Sequence, residues 1–175
     1  MVGGPNVSAF PRESLEFSDF DFAVKGEGEI TAVELVEAIK GKRKFAEVAG
    51  LIWRADSKII QNKDRALIQN LDEIPFPAWD LIDMEGYFKD IHNHSNNPIP
   101  TSNRIVPLFT SRGCPYRCTY CHNIFGKKIR FRSVGNVIEE IEALVKHYRV
   151  QEIEIIDDCF NFDLPRAKEI CDEII

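Results

Sequence analysis

The chain has 175 residues, 44% of them hydrophobic, with a formal net charge of −6 and a pI near 5.3. This composition is that of a globular protein, the acidic balance excludes a general nucleic-acid binder, and no apolar run is long enough to span a bilayer. Five cysteines, an odd number, with no export signal at Met1 argue against a disulfide framework and predict a reducing, cytoplasmic setting.

Met1-Val2-Gly3-Gly4-Pro5 reads as the end of a strand running into a glycine turn, and a domain seldom begins that way. A short helical turn is expected over residues 11–17, then a strand over 21–25 that ends at Gly26-Glu27-Gly28-Glu29. From Thr31 a helix is predicted to run to about Gly41, with Val33, Leu35, Val36 and Ile39 on one apolar side. Strand, glycine turn and helix make a βα unit. Gly26-x-Gly28 lacks the third glycine of a dinucleotide fingerprint and signals only a tight turn. Residues 49–54 and 58–61 flank Ala55-Asp56-Ser57 as the arms of a β-hairpin.

The periodicity weakens from residue 61 to 104. Pro75, Pro77, Pro98, Pro100 and the polar run 92–97 mark a long connector, with Phe76, Trp79, Leu81 and Ile82 available to pin it to a neighbour. His92-x-His94 has a metal-ligand spacing, although a polar loop of this kind is ordinarily only solvated.

The apolar run 105–110 then leads into Gly113-Cys114-Pro115-Tyr116-Arg117-Cys118-Thr119-Tyr120-Cys121-His122, three thiols within eight residues. Thiolates bind soft or borderline metals and iron–sulfur clusters. Zinc in a Cys3His set would ask adjacent Cys121 and His122 to reach one tetrahedral ion. A c-type haem at Cys118-Thr119-Tyr120-Cys121-His122 implies export, and a dithiol redox pair would leave Cys114 unexplained. Three thiolates on an iron–sulfur cluster fit the spacing best, leaving one iron of four open to a ligand. From Arg104 to Arg132 there are seven Arg or Lys and no Asp or Glu, a positive stretch suited to an anionic centre, or simply a solvated basic loop.

Beyond the loop, Ser133 is expected to cap a helix in which Val137, Ile138, Ile141, Leu144, Val145 and Tyr148 face the core and Glu139, Glu140 and Glu142 face solvent. Residues 152–156 alternate like a strand and run into Asp157-Asp158; a second amphipathic helix begins at Leu164. The predicted fold is α/β, and two successive βα units open a parallel barrel or sheet whose active residues sit at the carboxyl ends of strands. The loop from Cys114 to Cys121 and the Asp157-Asp158 pair both fall there.

Arg112-Gly113-Cys114-Pro115-Tyr116-Arg117-Cys118-Thr119-Tyr120-Cys121 resembles the cluster loop of the radical S-adenosylmethionine (SAM) superfamily. The resemblance implies a 4Fe-4S cluster on Cys114, Cys118 and Cys121. It further implies that the open iron chelates SAM, and that one electron cleaves the sulfonium to a deoxyadenosyl radical. Tyr120 stands where the family places a residue beside the adenine. Gly3-Gly4-Pro5, Lys25-Gly26-Glu27-Gly28-Glu29 and the segment from Leu71 to Asp80 are similar to the second half of a cobalamin-binding domain and its connector, as in cobalamin-binding radical SAM proteins.

On that resemblance, residues 1–62 end a Rossmann-like cobalamin-binding domain, 63–104 connect, and 105–175 begin a radical SAM (β/α) partial barrel. The chain is then expected to be a fragment of a methyltransferase or related enzyme. Such an enzyme would act on a small-molecule substrate and be served by an electron donor such as a flavodoxin or ferredoxin. Gly3 and Gly4 would lie near the cobalamin nucleotide tail, and Asp157 and Asp158 near SAM or substrate. Three features depart from the family: no Asp-x-His-x-x-Gly cobalt-ligand motif occurs, Asn6 stands where a His is frequent, and Asp157-Asp158 stands in place of a Gly-Gly-Glu. The alternative is a non-catalytic iron–sulfur or zinc-binding module.

Overall fold

A computed structural model describes residues 1–90, 101–121 and 124–175. His92, His94 and His122 fall outside the described residues. The chain divides into two compact units, one of residues 1–69 with 116–127, the other of residues 70–115 with 128–175.

In the first unit, β1 (Phe22–Val24) pairs antiparallel with β2 (Leu51–Ala55), and β2 with β3 (Lys58–Gln61). The β2–β3 turn is tight enough to hold Asp56 at φ 51°, so the hairpin expected around residues 55–57 forms. Val2 adds a parallel bridge to Ala23 on the other side of β1. Because strand residues alternate between faces, Ala23 and Ile52 pack with Val7 of α1 (Pro5–Ala9) and Leu15 of α2 (Glu13–Glu16), while Leu51 packs with Leu35 and Ala38 of α3 (Glu29–Ile39). Helices thus cover both faces of the sheet. α1 is a helix the sequence reading did not anticipate; Gly4 precedes it at φ 98°, and Pro5 takes its first position, where a missing N–H costs nothing.

The inward face of α3 differs from the expected one. Thr31, Leu35 and Ala38 are buried, at the i, i+4, i+7 spacing of one helical stripe, whereas Val33, Val36 and Ile39 are exposed. The apolar residues of α3 are spread around the helix, so the pattern alone did not single out the core side. Thr31 is fixed by donating to the Ala49 carbonyl and accepting from Arg65, which also pairs with Glu34.

The second unit is built on a parallel pair, β4 (Ile105–Leu108) and β7 (Glu152–Ile155), joined through α5 (Val134–Tyr148) and followed by α6 (Leu164–Ile174). Val106, Leu108, Val137, Ile141, Leu144 and Ile170 form its core. Ser133 caps α5 by accepting from the Asn136 amide, as the sequence reading predicts. At the other end Arg104 donates to the Tyr148 and Arg149 carbonyls, pairs with Glu85, and stacks on Phe88 4.3 Å away, a cation set on the negative end of the helix. The Glu85 carboxyl is held below its ordinary value by the Arg104 hydrogen bond.

Three expectations are corrected here. Leu81 and Ile82 are exposed; the anchors are Trp79, half-buried against the core, and Met84 and Phe88, which α4 (Met84–Lys89) turns inward one helical turn apart. Asp83 caps α4 by accepting from the Gly86 amide, a signal that was present in the sequence. Glu140 does not face solvent with Glu139 and Glu142 but is 1% exposed. Its carboxylate accepts from the Trp79 indole at 3.2 Å and lies 2.6 Å from an Arg132 guanidinium nitrogen. Val145, predicted inward, is exposed.

A carboxylate buried this far is tolerable only while its partners stay. Arg132→Met is therefore expected to lower the unfolding free energy by about 3–5 kcal/mol. Adding Glu140→Gln to that variant should recover a large part of the loss. Urea denaturation of the two variants checks this; equal stability of Arg132→Met and the parent would contradict it.

Candidate functional site

β4 and β7 run parallel, so their carboxyl ends emerge side by side. After β4 the chain passes through Thr110 into β5 (Ser111–Arg112), which pairs antiparallel with β6 (Arg130–Phe131). This short ladder closes the base of the cysteine loop, and the sequence reading gave no hint of it, because two-residue strands carry no periodicity. Gly113 follows at φ 99°, a conformation that favours glycine, and turns the chain out of β5.

Asp157, at the end of β7, holds the stem of that loop. Its carboxylate accepts from the Thr110 amide at 2.6 Å, the Thr110 hydroxyl at 2.6 Å and the Ser111 hydroxyl at 2.7 Å. Arg166 of α6, itself buried, donates to the Thr110 carbonyl at 2.8 Å, to the Thr110 hydroxyl at 3.3 Å and to the Arg132 carbonyl at 3.0 Å. Burial lowers the Arg166 guanidinium from its ordinary value, and the charges of Asp157 and Asp163 oppose that shift. Thr110 and Ser111 are fully buried between these groups. Asp158, the other half of the acidic pair, is exposed.

Cys114 lies in the second unit, half-buried, with its sulfur 3.5 Å from that of Cys159, which follows β7. Burial first, and then the contact with Cys114, push the Cys159 thiol up to about 11. Cys118 and Cys121 belong to the first unit and are exposed, on a turn in which the Cys121 amide donates to the Cys118 carbonyl. The sub-loop that carries them is tied by Lys127 donating to the Tyr116 carbonyl, and Gly126, at φ 81°, would bring an added Cβ to 2.7 Å from the tip of the Leu67 side chain. Tyr120 is 92% exposed, so it is not packed against the described residues.

Among the described residues, no three His, Cys, Asp or Glu side chains are drawn together as a ligand set. The donor chemistry of the loop nevertheless fits a cluster: all three of its thiols are free. Of the basic residues expected to supply positive charge, Arg104 and Arg132 are engaged in ion pairs within the second unit.

Gly3 and Gly4 stand at the end of the bridging strand in the first unit, next to the glycine turn that follows β1. Ser8 joins the two turns, donating to the Gly4 carbonyl and accepting from the Gly26 amide, each at 3.0 Å. Both Gly4 and Gly26 have positive φ, and a Cβ on either would meet nothing within 4 Å. Two bare backbone turns therefore border open space, one after Val2 and one after β1, where these two segments run parallel. In the sequence Gly26 signals only a tight turn, and nothing there marks Ser8 as its partner.

No family model matches the chain. It is 38% identical over 173 residues to an uncharacterized methyltransferase of Pyrococcus horikoshii, covering 97% of this chain and 35% of that protein. It is 33% identical to the cytidylyl-2-hydroxyethylphosphonate methyltransferase of Streptomyces wedmorensis, covering 97% of this chain and 36% of the relative. The chain thus spans about a third of the length of these curated relatives. Among solved structures, the cobalamin-dependent SAM radical enzyme OxsB with aqua-cobalamin bound superposes with a TM-score of 0.71 at 25% identity, over 98% of this chain and 23% of that one. The radical SAM methyltransferase TsrM of Kitasatospora setae shares the fold, with a TM-score of 0.72 at 22% identity over 99% of this chain and 32% of that one.

The geometry at Asp157 makes a direct prediction. Asp157→Ala leaves two hydroxyls and an amide without their acceptor and should cost about 3 kcal/mol, whereas Asp157→Asn, which keeps one carbonyl oxygen, should cost less. Hydrogen exchange at the Thr110 amide should quicken in Asp157→Ala; unchanged protection there would show that the carboxylate does not hold the stem.

Proposed function

We propose, on the premise that the chain belongs to the cobalamin-dependent radical SAM proteins, that it is the portion of such an enzyme that carries the cluster loop and borders the cobalamin site. The observation that carries this reading is the Cys-x-x-x-Cys-x-x-Cys spacing in the sequence, with Cys114 past the end of β4 and in contact with Cys159 past the end of β7. Cys114, Cys118 and Cys121 would hold a 4Fe-4S cluster, as their free thiols allow. When bound, that cluster supplies the single electron for reductive cleavage of SAM. The chain's own part is to present three thiolates from a loop whose stem Asp157 and Arg166 fix, and to offer Tyr120 and Asp158 as exposed side chains for SAM or substrate.

Gly3 and Gly4, with Gly26 and Ser8, would border the cobalamin nucleotide tail. Residues 1–62 then belong to the cobalamin-binding domain and 63–104 to the connector. β4, α5, β7 and α6 would be the first two βα units of a radical SAM barrel in residues 105–175. The reaction assigned to the whole enzyme is methyl transfer, or related radical chemistry, on a small molecule. A low-potential donor of the flavodoxin or ferredoxin type would supply the electron.

Anaerobic reconstitution with iron and sulfide tests this. The expected product is an oxygen-sensitive four-iron cluster that is lost in Cys118→Ala, kept in Cys171→Ser, and altered in its EPR signal by SAM. A full cluster in Cys118→Ala, or tight zinc uptake with no iron, would overturn the reading. In the same protein, replacing Gly4 by Val should weaken any retention of cobalamin, because φ 98° is strained for a β-branched residue.

A further inference from the structure

We propose that Cys114 and Cys159 are a reversible disulfide site, closing on the ligand thiol when it carries no iron. Cys159 lies outside the three-cysteine motif, and the cluster reading gives it no task. Its sulfur is nevertheless 3.5 Å from that of Cys114, and both side chains are half-buried. Cys118, Cys121 and Cys171 are exposed.

The contact follows from the fold. Cys114 hangs from β5 through Gly113, and Cys159 follows β7 by a few residues. The β4–β7 ladder and the Asp157 hydrogen bonds to Thr110 and Ser111 tie those two carriers together. A disulfide needs its sulfurs about 2.05 Å apart, so closure asks for a shift of about 1.5 Å in two loop residues. Thiols held at contact react as an intramolecular pair, with the advantage in effective concentration that such positioning brings.

The oxidant is a small-molecule disulfide of the glutathione class. One protein thiolate attacks it, forming a mixed disulfide and releasing one glutathione thiol. The second protein thiolate then attacks the protein-side sulfur and releases the other. Two protein thiols become one disulfide, one glutathione disulfide becomes two thiols, and the protons balance. Cys114 is thereby shielded from the irreversible steps of cysteine oxidation, and a thiol reductant returns it. The pairing rests on geometry alone; only its consequence for loading rests on the cluster reading.

The test uses the iron-free chain in glutathione buffers of increasing oxidation, followed by alkylation and mass-spectrometric mapping without reduction. The Cys114–Cys159 cross-link should be the first to form and should vanish with dithiothreitol. The cross-linked chain should take up no iron and sulfide until reduced. Cys159→Ser should lose the cross-link and carry glutathione on Cys114, while Cys171→Ser leaves it unchanged. Prior appearance of a Cys118–Cys121 cross-link, or equal joining of Cys114 to Cys159 and Cys171, would overturn the proposal. The decisive mapping is made on the unaltered chain, so a misfolded variant does not obscure it. Because it needs no iron, its failure leaves reconstitution on three cysteines untouched, and the converse also holds.

Discussion

The carboxylate of Asp157 is the group on which the loop region of the second unit depends. A parallel two-strand ladder ends with unpaired backbone groups, and here those at the end of β4 are met by a side chain from the end of β7. Thr110 contributes its amide and hydroxyl to Asp157 and its carbonyl to Arg166, so the residue where strand gives way to loop is held by every polar group it has. Asp157 and Arg166 carry opposite charges about one buried threonine, so neither is left uncompensated in the interior. The β5–β6 ladder, the Gly113 turn and the position of Cys114 all build outward from that point. Of the acidic pair, Asp157 accepts hydrogen bonds from within the fold, and Asp158 is exposed to solvent.

Much of the local structure was legible in the residues. Ser133 capping α5, the glycine turn at Gly113, the hairpin around Asp56 and the alternation of β7 are all short-range signals, fixed by neighbours within a few positions. What escaped was set by distant partners. Glu140 reads as a surface residue on its own helix and is buried because Trp79 and Arg132 come to it from elsewhere in the chain. The contact of Asp157 with Thr110 spans 47 positions, and that of Cys159 with Cys114 spans 45. In α3 the misreading had another cause: valine and isoleucine occur on more than one side, so the small residues Thr31 and Ala38 mark the core better than the large ones do.

The two glycine turns of the first unit and the cysteine loop answer to different constraints. The Gly4 and Gly26 turns are set by positive φ and open space, and Ser8 holds them in register with a single hydroxyl used as both donor and acceptor. The loop's thiols are instead set by spacing. Part of the basic stretch around them serves the fold: Arg104 closes a helix end and Arg132 balances Glu140. The positive charge left to attract an anionic cofactor is therefore smaller than the residue count suggests.

The central claim is that three cysteines of this chain hold a cluster with one iron open to SAM. Mössbauer spectroscopy on chain reconstituted anaerobically with iron-57 tests it most directly. The account predicts that SAM shifts the parameters of one iron of the four and leaves the other three as they were. Four irons that stay alike in the presence of SAM, or a cluster with no inequivalent site, would contradict it.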